Sequence, residues 1–121
     1  MSMPPDPRSF LPLKAEAFHI LLVLRATARH GYGIMQDVAD MSGGVVTLQT
    51  GALYRDLKRM LRDGLIAPAA APGSARGDDP RRRYYRVTPL GVKVAAAEAE
   101  RLAALVTTAR RLRLTGAPRT A

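Results

Sequence analysis

The order in which helix and strand patterns follow one another constrains the fold of this sequence more than any other feature. Apolar residues recur at helical spacing in three successive segments, each closed by a glycine: residues 14–29, 32–41 and 50–63. Two short strands follow, separated by a loop rich in Pro, Gly and Ala: residues 65–67 and 82–87. Thr88 and Pro89 then suit the N-cap and the first position of a long Ala-rich helix. This order predicts a mostly α (α+β) fold, a winged helix-turn-helix with a long C-terminal helix.

These patterns divide the chain into four parts. Residues 1–12 contain four prolines and are expected to form a flexible N-terminal arm. Residues 13–88 are predicted to form the winged helix-turn-helix domain, residues 89–114 a dimerisation helix, and residues 115–121 a frayed tail. The chain has no apolar signal segment, and no apolar run approaches the roughly 20 residues of a membrane span. We therefore expect a cytoplasmic protein without a membrane partner.

The charge of the chain indicates a polyanionic partner. The formal net charge is +9, and 16 of the 19 basic residues are arginine. Phosphates attract such side chains, and the planar arginine fork matches both phosphate and the edge of guanine. A GC-rich genome is an alternative explanation of the arginine bias, but it explains the net charge less well. The balance favours nucleic-acid binding.

The sequence offers little for catalysis or metal binding. It has no cysteine, which excludes disulfides and Cys-based zinc sites. Its four serines stand at no recognisable spacing from a histidine, its carboxylates are scattered, and no Gly-rich phosphate loop is present. His19 and His30 are too few for a metal site; we expect His19 at the edge of the core and His30 in the last turn of the first helix. The sequence thus predicts neither an enzyme nor a cofactor.

Five strings, in order and over roughly residues 13–112, resemble motifs of the PadR family of bacterial transcriptional regulators: Glu16-Ala-Phe-His-Ile-Leu-Leu22, His30-Gly-Tyr-Gly-Ile34, Thr50-Gly-Ala-Leu-Tyr-Arg-Asp-Leu57, Asp63-Gly-Leu-Ile66 and Arg82-Arg-Tyr-Tyr-Arg-Val-Thr-Pro-Leu-Gly91. The resemblance implies a homodimeric regulator, usually a repressor and often controlled by a small molecule. The single C-terminal helix resembles the short-chain branch, in which that helix forms the dimer. The chain has no tryptophan, so an aromatic drug held between Trp rings is not implied.

The winged-helix arrangement selects the candidate DNA-binding residues, because the third helix of this fold enters the major groove and the hairpin lies beside the backbone. On the third helix and at its start the candidates are Gln49, Thr50, Gly51, Tyr54, Arg55, Lys58 and Arg59. In the wing they are Arg76, Arg81, Arg82 and Arg83. Tyr32 is a further candidate, with packing of its ring under the third helix as the alternative. For the charged groups the alternatives are a solvated helix face and a strand edge protected by charge.

The long last helix carries a seam of apolar residues that is able to meet another helix. The predicted dimer interface consists of Leu102, Leu105, Val106, Ala109 and Leu112, and the suggested walls of an effector pocket are Phe18, Leu22 and Leu102. Together these features predict a dimeric, sequence-specific repressor that binds double-stranded DNA at a palindromic operator. Two alternatives remain: a sequence-nonspecific architectural nucleic-acid binder, and a ligand sensor or protein-docking module.

Overall fold

The computed structural model describes residues 3–73, 77 and 79–115. A short 3₁₀ turn, Pro7–Phe10, precedes seven regular elements. In chain order these are α1 (Ala15–Ala26), β1 (Arg29–His30), α2 (Gly31–Met41), α3 (Thr50–Arg62), β2 (Ile66–Ala69), β3 (Tyr84–Val87) and α4 (Pro89–Arg111). The predicted winged helix-turn-helix fold with its long C-terminal helix is confirmed.

The core is aliphatic and lies where α1, α2 and α3 meet the small sheet. Ile20, Leu21, Ile34 and Leu53 are fully inaccessible to solvent. They belong to one apolar cluster, which Val94 of α4 joins. Burial of apolar surface from all four helices is the main stabilising contribution to this arrangement.

The three strands form one antiparallel sheet in the order β1-β3-β2. Ala67 pairs with Arg86 in the hairpin, and His30 pairs with Tyr84 at the other side of β3. The sequence did not indicate β1, because two residues are too short to show an alternating pattern. The first helix was also predicted too long, since it ends at Ala26 rather than near residue 29.

His30 has a different role from the one the sequence suggested. It is not in the last turn of α1; it is the N-cap of α2, and its Nδ1 lies 3.0 Å from the backbone nitrogen of Gly33. Thr88, by contrast, caps α4 as predicted, accepting a bond from the backbone N–H of Gly91 at 3.0 Å. Histidine is an uncommon N-cap, which is why the pattern did not reveal it.

The segment before α1 is packed against the domain rather than extended away from it. Phe10, Leu11 and Leu13 are partly buried against the core. The backbone N–H of Leu13 donates to the carboxylate of Glu98 at 3.0 Å, and Glu98 is 2% exposed. In the described part of the expected flexible arm, residues 3–12, Phe10 and Leu11 are thus packed against the core, although the prolines of this segment suggested disorder.

Only the first half of α4 is buried in the chain. Its buried residues are Gly91, Val94 and Glu98, all within its first ten positions. A Cβ on Gly91 would stand 2.1 Å from the carbonyl oxygen of Leu65, so only glycine permits this close crossing of helix and strand. The second half extends past the domain and ends at Arg111, a few residues before the predicted end. Most of the predicted tail, residues 116–121, lies outside the described residues.

Among the described helices, none has the length and apolar character needed to cross a lipid bilayer.

Candidate nucleic-acid interface

The third helix has a buried apolar face and an exposed polar face. Leu53, Leu57 and Met60 are buried at helical spacing. The predicted DNA-binding residues of this region all lie on the exposed side: Gln49, Thr50, Gly51, Tyr54, Arg55, Lys58 and Arg59. The helix thus presents to solvent the residues that the fold would direct into a major groove.

Two glycines in the turn between α2 and α3 set the direction of α3 relative to α2. Gly43 and Gly44 adopt φ values of +62° and +82°, a left-handed backbone that side chains disfavour. Ser42 then closes the loop, since its Oγ accepts a bond from the backbone N–H of Val46 at 2.9 Å. These contacts fix the helix-turn-helix angle on which the orientation of α3 depends.

Tyr54 of α3 is positioned by a close approach to α2. A Cβ placed on Gly31 would stand 2.7 Å from the Tyr54 hydroxyl oxygen and 3.2 Å from Cζ. The absence of a side chain at Gly31 therefore makes room for the phenol, half of which remains exposed. The Tyr54 side chain thus closely approaches the backbone of Gly31.

Gly33, the second glycine of the string His30-Gly-Tyr-Gly-Ile34, makes room for an ion pair. The guanidinium of Arg29 donates to the Asp37 carboxylate through Nε at 2.8 Å and Nη2 at 3.2 Å. A Cβ on Gly33 would lie 2.6 Å from the Arg29 Cζ. Bidentate arginine–carboxylate pairs of this type are geometrically specific. The pair joins the first residue of β1 to the middle of α2.

In the wing, the arginines 81–83 lie in the loop just before β3, whereas the sequence suggested that the strand begins at Arg82. Arg81 binds Asp79 through Nε at 3.2 Å and Nη2 at 3.1 Å. This hydrogen-bonded partner holds the pKa of Asp79 below its ordinary value. The charge of Arg81 is thus partly compensated within the loop. Arg76, the remaining wing candidate, lies outside the described residues.

Arg82 makes a different contact from its neighbour. Its Nη1 lies 3.0 Å from Nε2 of His30. The His30 ring in turn lies edge-on to Tyr84, with centroids 5.3 Å apart and planes at 90°. Arg82 therefore connects the wing to the N-terminus of α2, while Arg83 is exposed beside it.

An open cleft of about 470 Å³ separates the wing from the N-terminus of α2 and from α3. Five predicted DNA-binding residues line it: Tyr32, Tyr54, Arg81, Arg82 and Arg83. Tyr32 is 58% exposed, so its ring is not packed beneath α3 as the alternative interpretation required. Three arginines and several phenol groups face one space, a chemistry suited to phosphate and base contacts.

Other predicted residues do not share this cleft. Gln49 and Arg55 line a second opening of about 590 Å³ between α3 and the start of α1, where Lys14 also lies. Arg59 lines a third, smaller groove near Phe10 and Asp63. The candidate interface is therefore a broad surface whose three openings are all lined in part by α3.

Sequence reasoning missed four residues of the main cleft: His30, Gly31, Asp79 and Tyr85. Tyr85 is 7% exposed, and burial raises the pKa of its phenol, with Tyr54 nearby adding to the effect. His30 could have been found from its place before the Gly-Tyr-Gly string. Nothing local to Asp79 indicated its pairing with Arg81.

The predicted dimer residues of α4 are largely exposed in the single chain. Leu105 is 54%, Val106 43% and Leu112 64% exposed, and Leu102 and Ala109 are intermediate. An apolar groove of about 220 Å³ lies between α1 and the first half of α4. Leu22 lines this groove, but the other suggested effector-pocket residues, Phe18 and Leu102, do not. Throughout the described part of the chain, no group of three or more His, Cys, Asp or Glu residues could hold a metal ion.

A winged helix-turn-helix with an arginine-lined cleft between its third helix and its wing defines a class, the DNA-binding transcriptional regulators. The sequence matches the transcriptional regulator PadR-like family over residues 20–97, well over half of its length. The chain therefore belongs to the PadR-like family, whose members are transcriptional regulators and not enzymes.

Solved structures show that the fold is shared. A complex of RosR from H. salinarum is 26% identical, has a TM-score of 0.67, and the match covers 90% of each chain. A PadR family transcription regulator from hypervirulent Clostridium difficile has a TM-score of 0.68 at 20% identity, over 82% of this chain and 98% of that one. A transcriptional regulator from Clostridium thermocellum has a TM-score of 0.65 at 21% identity, over 86% and 90%. The curated proteins yield no match to this sequence.

Proposed function

We propose that this protein is a homodimeric repressor that binds a palindromic DNA operator and is released by a small-molecule effector. In this proposal α3 reads base edges in the major groove, while the wing arginines contact the flanking backbone. Two-fold symmetry requires two half-sites about one helical turn apart. Because its target is the chromosome, the proposed place of action is the cytoplasm.

The observation that carries the proposal is the cleft between α3 and the wing. Tyr54 comes from α3, and Arg81, Arg82 and Arg83 come from the wing, yet all four line one open space. Wing and helix can therefore engage one duplex at the same time. Arginine beside a narrow minor groove or a phosphate is a recurrent feature of DNA recognition.

The second half of α4 supports the homodimer. Leu105, Val106 and Leu112 expose apolar side chains on a helix that extends past its own domain. Isolated exposed apolar residues are ordinary, but a row of them at helical spacing is typical of a helix–helix interface. In a two-fold dimer this row would meet its own copy or the groove between α1 and α4 of the other subunit.

The groove between α1 and α4 is the best candidate for an effector site. Its walls are mostly apolar, with Leu21, Leu22 and Val92 beside alanines and one charged group, Arg25. Its volume of about 220 Å³ is below the usual 300–1,000 Å³ of ligand pockets. A ligand there would need walls from a second subunit, which links the effector to the dimer.

Selection of genomic DNA fragments by the purified full-length protein at moderate salt tests the proposal. A specific regulator should enrich fragments that share an inverted repeat. The matched control is the Arg55→Ala variant, in which an exposed arginine of α3 is removed. If Arg55 reads a base, this variant should lose enrichment of the repeat while still retaining DNA at low salt, because most nonspecific affinity comes from phosphate contacts.

A second candidate function is sequence-nonspecific binding as an architectural protein. The net charge of +9 favours it, as do exposed arginines far from the cleft, such as Arg110 and Arg111 at the end of α4. In that case the same selection should show strong retention with no shared sequence. Equal retention by wild type and Arg55→Ala, with no shared sequence in either selection, would also favour this function.

A further inference from the structure

His30 is in contact with two hydrogen-bond donors on opposite sides of its ring. The backbone N–H of Gly33 points at Nδ1 over 3.0 Å, and the guanidinium Nη1 of Arg82 lies 3.0 Å from Nε2. A neutral imidazole has one nitrogen with a free lone pair, and the other carries a proton. The ring can therefore accept from Gly33 or from Arg82, but not from both at once.

These two donors belong to different parts of the molecule. Gly33 lies in the first turn of α2, at whose N-cap position His30 stands, whereas Arg82 belongs to the wing and lines the main cleft. If the ring accepts from one of these donors, the other donor faces the N–H group of the imidazole. Because the imidazole is 6% exposed and stacked edge-on against Tyr84, it cannot rotate away to relieve this conflict.

We propose that His30 is a tautomeric link between the wing and the helix-turn-helix. In the free protein its lone pair is on Nε2 and holds Arg82, because hydrogen bonds from a charged donor are roughly twice as strong as neutral ones. When Arg82 moves to a DNA phosphate, the proton leaves Nδ1 and a proton is taken up at Nε2, through exchange with water in the open cleft. Nδ1 then accepts from Gly33 and completes the cap of α2.

Through this link, binding of Arg82 to DNA and completion of the α2 cap occur together. An N-cap bond stabilises the first turn of its helix, so the gain at α2 offsets part of the cost of freeing Arg82. The inference deepens the proposed function, because it rests on Arg82 as a phosphate contact. It assigns His30 the role of a positioning residue that contacts no DNA itself.

Imidazole ¹⁵N chemical shifts of histidine-labelled full-length protein at pH 8 test the proposal directly. In free wild type the unprotonated nitrogen of His30 should be Nε2, and in the Arg82→Ala variant it should be Nδ1. Exchange of the Gly33 amide hydrogen should be slower in Arg82→Ala than in wild type, because the cap is then complete. His19→Gln removes the other histidine signal and should change neither result; His19 bonds only locally, to the carbonyl oxygen of Ala15 at 2.6 Å.

Adding a saturating 30-base-pair duplex to wild type at low salt should convert the His30 signal to that of Arg82→Ala. The link is overturned if Nδ1 is already the unprotonated nitrogen in the free protein. It is also overturned if Arg82→Ala has the same tautomer as wild type. Binding with no change of tautomer also overturns it, because Arg82 would then stay on His30. If wild type fails to bind any duplex at low salt, the proposed function fails instead, while the comparison of free wild type with Arg82→Ala still decides the tautomer.

Discussion

Gly31 of α2 and Tyr54 of α3 lie close together: a Cβ at residue 31 would lie 2.7 Å from the Tyr54 hydroxyl oxygen. The side chain that we propose to contact DNA is thus positioned by a residue with no side chain. Since Tyr54 lies on the rim of the main cleft, its position also determines the shape of that cleft.

The first prediction follows from this contact. Gly31→Ala should lower the free energy of unfolding by about 1–3 kcal/mol, the usual cost of overpacking, and should weaken DNA binding because Tyr54 is displaced. Urea denaturation and fluorescence anisotropy with a labelled duplex measure the two effects. Adding Tyr54→Phe to Gly31→Ala removes the oxygen at 2.7 Å and should recover part of the stability. Equal destabilisation in both variants would show that the hydroxyl is not the obstacle.

The wing arginines should contribute unequally to the salt dependence of DNA binding. Arg83→Ala should reduce the slope of log K against log salt by about 1, the value for one lost phosphate contact. Arg81→Ala should reduce it by less, because Asp79 already compensates part of the Arg81 charge at 3.1 Å. Arg111→Ala, at the far end of α4, serves as the control for a general loss of charge. Identical slopes for all three variants would refute a wing contact.

Glu98 should make the stability of the fold depend on acid pH. The guanidinium of Arg101 holds the pKa of this carboxyl below its ordinary 4.5, and the backbone N–H of Leu13 acts in the same direction. As the pH falls, the unfolded chain therefore takes up the proton first. The stabilisation is complete above 4.5 and is lost as the pH drops through the folded-state pKa.

Replacement of Glu98 isolates this effect. Glu98→Gln should be less stable than wild type at pH 7, and the difference should narrow progressively in urea titrations between pH 5 and pH 2. Glu100→Gln, an exposed position on the same helix, should match wild type throughout. If the difference in stability between wild type and Glu98→Gln stays constant with pH, Glu98 is not the group that makes the fold sensitive to acid.

The sequence predicted the parts of this molecule that depend on long periodic patterns. The buried stripe of α3 and the Thr88 cap of α4 were both evident, because each follows from residue spacing and local chemistry. Contacts between distant segments were not evident. The pairing of His30 with Tyr84 and the bond from Leu13 to Glu98 join residues 54 and 85 positions apart, and no local pattern encodes such a contact.

The candidate site shows the same division. The arginines and Tyr54 could be selected because the winged-helix arrangement dictates which segments face DNA. The differences among the wing arginines could not be predicted, because the three residues are adjacent and identical in the sequence. In the structure Arg81 binds Asp79, whereas Arg82 contacts His30. Individual roles depend on side-chain partners, which follow from the folded structure alone.

The last prediction concerns the exposed seam of α4. Leu105→Arg should produce monomers, because a charge would be buried at the centre of a helix–helix interface without a partner. Its affinity for a two-half-site duplex should fall by about 10²-fold or more, since two linked DNA contacts become one. Light scattering reports the mass, and anisotropy reports the binding. Thr107→Arg introduces the same charge on the opposite face of the helix and should leave both unchanged. A Leu105→Arg protein that remains dimeric would mean that the subunits associate through another surface, and the groove between α1 and α4 would then be the next region to mutate.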